Sequence, residues 1–108
     1  MTAEQLLTVY QELAELTSKM ADAATAEDWD RVVELERDCA LRVQKLKTGE
    51  GTANWTPPAR TRKAEIIRRI LADDRRIRDL AMPWMAQLSA LISNTRTQGR
   101  LLGAYGTV

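Results

Sequence analysis

The chain has 108 residues, 29% of them charged, and a formal net charge of +1. That length suits one domain. With no histidine and one cysteine, Cys39, it excludes an intrachain disulfide, histidine-based nucleophilic catalysis and a His/Cys zinc site. Aromatic residues make up only 5% and Phe is absent, while Ala, Leu, Glu and Arg abound, a mix that favours helices over sheets.

The first predicted helix runs from about Ala3 to Ala24, because Leu6, Tyr10, Leu13, Thr17 and Met20 recur at three- and four-residue steps and Leu7, Val9, Ala14, Leu16 and Ala21 widen the stripe. A short break follows at Thr25-Ala26-Glu27-Asp28, where Thr25 is the expected cap of the next helix, with Asp28 three residues on. The second helix is predicted from about Glu27 to Lys47, with Trp29, Val32, Val33, Cys39, Ala40, Val43 and Leu46 on its buried face. Glu36 interrupts that face, and Gly49 is a candidate C-terminal cap.

Residues 48–59 read as the one real loop, with Pro58 placed to start the third helix, where a missing N–H costs nothing. Trp55 in this loop has two readings, a cover for the end of the bundle or an exposed anchor for a partner. The third helix is predicted from about Ala59 to Asn94 on a stripe of Ile66, Ile67, Ile70, Leu71, Ile77, Leu80, Ala81, Trp84, Leu88, Leu91 and Ile92. It would be roughly 50 Å long against roughly 30 Å for each of the others, so it either projects or bends, and Pro83 is the expected bend point. The polar run Thr95–Arg100 weakens the pattern before a short amphipathic tail of Leu101, Leu102 and Tyr105. The expected fold is all-α: an antiparallel three-helix bundle, one domain over residues 1–108, with a long third helix and a short C-terminal helical tail.

Charge separates along the chain. Residues 1–50 hold 11 acidic against 6 basic side chains, a balance of −5, and residues 51–108 hold 4 against 10, a balance of +6. Two acidic helices packing on a basic one explain this; so would a nucleic-acid surface, but the basic residues are diluted by acids and lack interleaved aromatics, which argues against nucleic acid. Asp73, Asp74 and Asp79 sit among Arg75, Arg76 and Arg78, a pattern of ion pairs rather than of metal ligands. Gly49 and Gly51 lack the Lys-Ser/Thr of a phosphate loop. No catalytic residue, metal or cofactor is expected. The N-terminus lacks a basic, apolar leader and no window approaches 18 apolar residues, so neither a signal peptide nor a membrane span is expected and the location expected is cytoplasmic. Cys39 reads as a small buried hydrophobe, and Met82 and Met85 beside Trp84 read either as core or as an adaptable contact surface.

Trp29-Asp30 opening the second helix, Thr56-Pro57-Pro58 before the third, Leu88-Ser89-Ala90-Leu91-Ile92 late in it, and Ala104-Tyr105-Gly106 after it resemble flagellar export chaperones of the FliT type, in that order, over about residues 27–106. The resemblance implies a small all-helical cytoplasmic chaperone of bacterial flagellar export. It would bind the C-terminal part of the filament-cap protein, keep it from premature assembly and deliver it to the export ATPase complex. In some bacteria such a chaperone also inhibits the flagellar master transcription activator, and a C-terminal helix masks the binding surface. This chain stops two residues after Gly106, where some relatives continue, which leaves a masking tail short.

A chaperone needs an apolar groove into which an amphipathic client can dock. The expected groove wall is the third-helix stripe, Ile66, Ile67, Ile70, Leu71, Ile77, Leu80, Trp84, Leu88, Leu91 and Ile92, with Leu101, Leu102 and Tyr105 as the masking tail. The related chaperone of hook–filament junction proteins, a DNA-binding regulator using Arg60, Arg62, Lys63, Arg68, Arg69, Arg75 and Arg76, and a structural coiled coil are the rivals. Apolar surface left over on the third helix leaves a homodimer open.

Overall fold

The computed structural model describes the backbone of residues 1–103 and the side chains of residues 1–87 and 89–91. The elements are α1 (Ala3–Thr25), α2 (Trp29–Gly49), a short 3-10 turn (Glu50–Thr52) and α3 (Pro57–Gly103), with no strand among the described residues. The described residues fall in two compact units, Met1–Arg78 and one that begins at Asp79.

Helix α1 starts on a capping box that the residue pattern did not flag. The Gln5 N–H donates to Thr2 Oγ1 at 3.2 Å while the Thr2 N–H donates back to Gln5 Oε1 at 2.9 Å. Its predicted face is the one that is buried: Leu6, Val9, Leu13, Ala14, Thr17, Met20 and Ala21. The turn to α2 differs from expectation. Thr25 does not cap α2; it is the last residue of α1, and its hydroxyl donates to Ala21 O at 2.8 Å. Glu27 takes φ 59°, its N–H donates to Ala24 O and the Asp28 N–H donates to Ala23 O, which together make a Schellman ending. Asp28 then caps α2 by accepting from the Arg31 N–H at 3.2 Å. Asp28 thus ends α1 and starts α2, so the connection is residues 26–28 and α2 begins at Trp29 rather than Glu27.

Helix α2 buries Val32, Leu35, Leu46 and Gly49, with Cys39 and Trp29 half-buried. Val33, Ala40 and Val43, expected inside, are exposed. They sit about 60–160° around the helix from Leu35 and Leu46 at 100° per residue, and Leu35 is the inward position that the apolar pattern leaves out. Gly49 does not cap with a positive φ. A Cβ there would lie 2.8 Å from Met1 Sδ and 3.0 Å from Leu6 Cδ2, so glycine lets the start of α1 approach the end of α2.

Helix α3 starts at Pro57 rather than Ala59. Both prolines fill its first turn, and Thr56 Oγ1 accepts from the Ala59 N–H at 3.3 Å. The helix passes Pro83 and, against expectation, passes Asn94 as well: residues 95–103 are its continuation rather than a separate tail. Loss of apolar periodicity reports loss of a buried face, not loss of helicity, and Arg, Gln and Leu are good helix formers.

Within Met1–Arg78 the three helices run up, down and up. Cross-contacts pair Glu12 with Arg42 at 3.1 Å and Met20 Sδ with Cys39 Sγ at 3.4 Å, so α1 and α2 are antiparallel. At one end Arg62 of α3 lies near Leu7 of α1; at the other Arg76 donates to Thr25 Oγ1 at 2.9 Å, so α3 runs parallel to α1. One cluster of the core is Leu6, Val9, Leu13 and Leu46, with Tyr10, Cys39, Ala53, Trp55 and Ile70 packed against it. This is the bundle the hydrophobic pattern predicted.

Candidate functional site

The predicted α3 stripe divides by burial. Ile66 is only 5% exposed and Ile70 packs on the α1–α2 core, so these two belong to the bundle and not to the exposed part of the α3 stripe. Ile67, Ile77 and Leu80 are half-buried, and Leu71 is exposed. In the unit beginning at Asp79, Trp84 and Leu91 are exposed, as are Met82 and Met85. The Leu88 and Ile92 side chains lie outside the described residues, as do those of the supposed masking tail, Leu101, Leu102 and Tyr105.

Leu80, Trp84 and Leu91 fall at i, i+4 and i+11, one ridge of the helix, and Met82 and Met85, at i and i+3, form a second, about 100–180° around the helix from it. Large apolar side chains thus cover more than half of this helix's circumference, with Met82 67% exposed. An exposed Leu on a protein surface is ordinary; a cluster of two Met, one Trp and one Leu over ten residues is not. Met is unbranched and polarizable, so such a surface can re-pack around different partners.

The α2–α3 connection is tied down by a polar–aromatic cluster. The Tyr10 hydroxyl donates to Glu50 Oε2 at 2.9 Å, and Lys63 forms an ion pair with Glu50 Oε1. The Lys63 ammonium lies 4.5 Å from the Trp55 ring centre and 5.5 Å from that of Tyr10, and the two rings meet edge to face at 6.5 Å. Burial, then the Glu50 hydrogen bond and charge, pushes the Tyr10 hydroxyl up to about 12. Of the two readings of Trp55, the packed one holds: its ring is half-buried against the core.

Cys39 is half-buried with its thiol on Met20, and burial, helped by Asp38 and Glu36, raises its pKa. That is the environment of a packing residue, not of an activated thiolate. Among the described residues no group of three or more His, Cys, Asp or Glu is placed to hold a metal, and no helix is long and apolar enough to cross a membrane. In the acidic cluster Asp74 pairs with Arg78 at 3.0 Å, an i,i+4 ion pair.

A feature absent from the sequence reading is an open groove between α1 and α3, within Met1–Arg78. One cavity of about 360 Å³ is lined by Leu7, Gln11, Glu15, Arg62 and Ile66 among others, and a second of about 500 Å³ shares Leu7 and Arg62 and extends to Glu4 and Pro58. Its signal in the sequence was Leu7, the edge of the α1 stripe, beside polar residues spaced at i, i+7 and i+11.

Residues 7–107 match the family model described as Flagellar protein FliT. The chain belongs to the FliT family. Flagellar protein FliT of Yersinia pseudotuberculosis is 30% identical over 109 residues, covering 95% of this chain and 86% of the relative. That of Serratia proteamaculans is 28% identical over 103 residues, covering 95% and 84%. A crystal structure of flagellar protein FliT from Bordetella bronchiseptica superposes with a TM-score of 0.70 at 37% identity, over 80% of this chain and 98% of that one. The family and its helical fold are therefore those the short motifs indicated, and the protein has a flagellar role.

Proposed function

We propose that this FliT-family protein is a cytoplasmic export chaperone that acts by contact rather than by catalysis. It binds the C-terminal part of the filament-cap protein, keeps it from premature assembly and delivers it to the export ATPase complex. The observation that supports this reading is the cluster of exposed apolar side chains on α3, Met82, Trp84, Met85 and Leu91, in a family of flagellar proteins. An amphipathic client helix would lay its apolar stripe on the Leu80, Trp84 and Leu91 ridge, leaving its charged face in water.

Titration calorimetry against the C-terminal segment of the same organism's filament-cap protein tests it, with a hook–filament junction segment as control. Binding to the cap segment is expected, with Trp84→Ala weakening it by about 2 kcal/mol, roughly 30-fold, as for a central interface aromatic. Binding only to the junction segment would reassign the client, and binding to neither would refute the reading.

A further inference from the structure

We infer that the outer groove between α1 and α3 is a second docking site, and that its occupant is a basic amphipathic helix of a partner protein. The floor is apolar, formed by Leu7 of α1 and Ile66 of α3. The α1 lip carries Glu4, Gln11 and Glu15, which share one ridge and span about 16 Å, or three helical turns. A trough of that length between two parallel helices accepts a helix of about 12 residues, seated by apolar side chains at i, i+3 or i+4, and i+7.

Charge selects the occupant. Glu12, also on this side, is already neutralised by Arg42 at 3.1 Å. Arg62 on the opposite lip lies 3.6 Å from Glu65 of its own helix. Glu4 and Glu15 take part in no close ion pair among the described residues, so the lip offers two carboxylates that no side chain holds, flanking the apolar floor. An acidic lip attracts a helix with Lys or Arg beside its apolar stripe and repels one with Asp or Glu there. Every residue of this site lies in Met1–Arg78, and the site does not depend on the client surface proposed for α3 beyond Asp79.

Fluorescence anisotropy with two labelled 14-residue helical peptides tests the inference. Both carry the same leucine stripe, flanked by lysines in one and by glutamates in the other. The lysine peptide is expected to bind at least ~10-fold more tightly, with affinity falling as salt screens the exposed charges. The Glu4→Gln/Glu15→Gln double variant, which changes surface groups only, is expected to weaken it about fivefold. Leu7→Ser should weaken it further, and Met85→Lys should leave it unchanged. Equal binding of the two peptides, indifference to the double variant, or loss on Met85→Lys would each overturn the inference.

Discussion

Replacing Glu27 by glycine should stabilise the protein. Glu27 holds φ 59° at the Schellman ending of α1, and its backbone N–H, which glycine keeps, donates to Ala24 O. A left-handed conformation costs a residue with a Cβ about 1–2 kcal/mol, and glycine is free of that cost. Against this, glycine loses roughly 0.5–1 kcal/mol more conformational freedom on folding. The carboxylate also lies just ahead of the N-terminus of α2, where a negative charge contributes about 0.3–1 kcal/mol at low salt. At high salt that last contribution is screened, and the net gain is about 0–1.5 kcal/mol, centred on ~0.75 kcal/mol. For a domain of this size the central value raises the melting temperature by roughly 3–6 °C. Circular dichroism at 222 nm during urea and thermal unfolding reads it, as a higher urea midpoint with an unchanged slope. Glu27→Val is the counter-test, because a β-branched residue tolerates φ > 0 least and should lower the midpoint. If Glu27→Gly unfolds earlier than the parent at high salt, the turn is not held by the Schellman geometry.

Leu35→Ala should cost about 2–5 kcal/mol in urea unfolding, since Leu35 is 2% exposed. Leu41→Ala, at a position 60% exposed on the same helix, should change stability by no more than ~0.5 kcal/mol. The Tyr10 hydroxyl, raised to about 12 in the folded state from an ordinary 10, predicts stability that is full below pH 10 and falls as pH rises toward 12. Ultraviolet titration should show a late tyrosinate phase that Tyr10→Phe removes. Lys63→Met should cost about 1–2 kcal/mol, because it removes the charge from between two rings and leaves Glu50 with the Tyr10 hydroxyl alone. A fluorescence difference from the parent that disappears in a Trp55→Phe background would place the effect at that cluster.

The helical core of this fold was legible because α1 keeps its apolar residues in strict three- and four-residue steps, and every one of its long core residues was read correctly from that spacing. Helix α2 was harder. Its apolar residues, Val33, Val43 and Leu41 included, surround the helix, so only partner geometry decides that Leu35 faces inward. The turn between them was misread because its ending is made by a glutamate in a conformation usually given to glycine, and residue identity therefore carries no sign of it. Of the α1–α3 groove the sequence shows only one edge, Leu7 beside its polar neighbours, and not the opening itself. It depends on how far apart two helices sit, which side-chain volumes across the whole bundle determine.

Burial also separates what periodicity merged on α3. The same three- and four-residue spacing runs through Ile66, Ile70, Ile77, Leu80, Trp84 and Leu91, yet Ile66 is core and Leu91 is surface. Composition marks the change better than spacing does, from Ile-rich to Met82-Pro83-Trp84-Met85. Pro83 has no N–H, so the Asp79 carbonyl loses its i+4 donor, and the helix interior bears a cost of ~3 kcal/mol relative to alanine. Pro83→Ala should therefore make α3 more helical and more resistant to heat. If the proline sets the offset of Trp84 from Leu80 that a client reads, the same variant should bind the cap segment more weakly, because stability and recognition are opposed at this residue. Higher stability with unchanged affinity would show that the apolar ridge works without the proline.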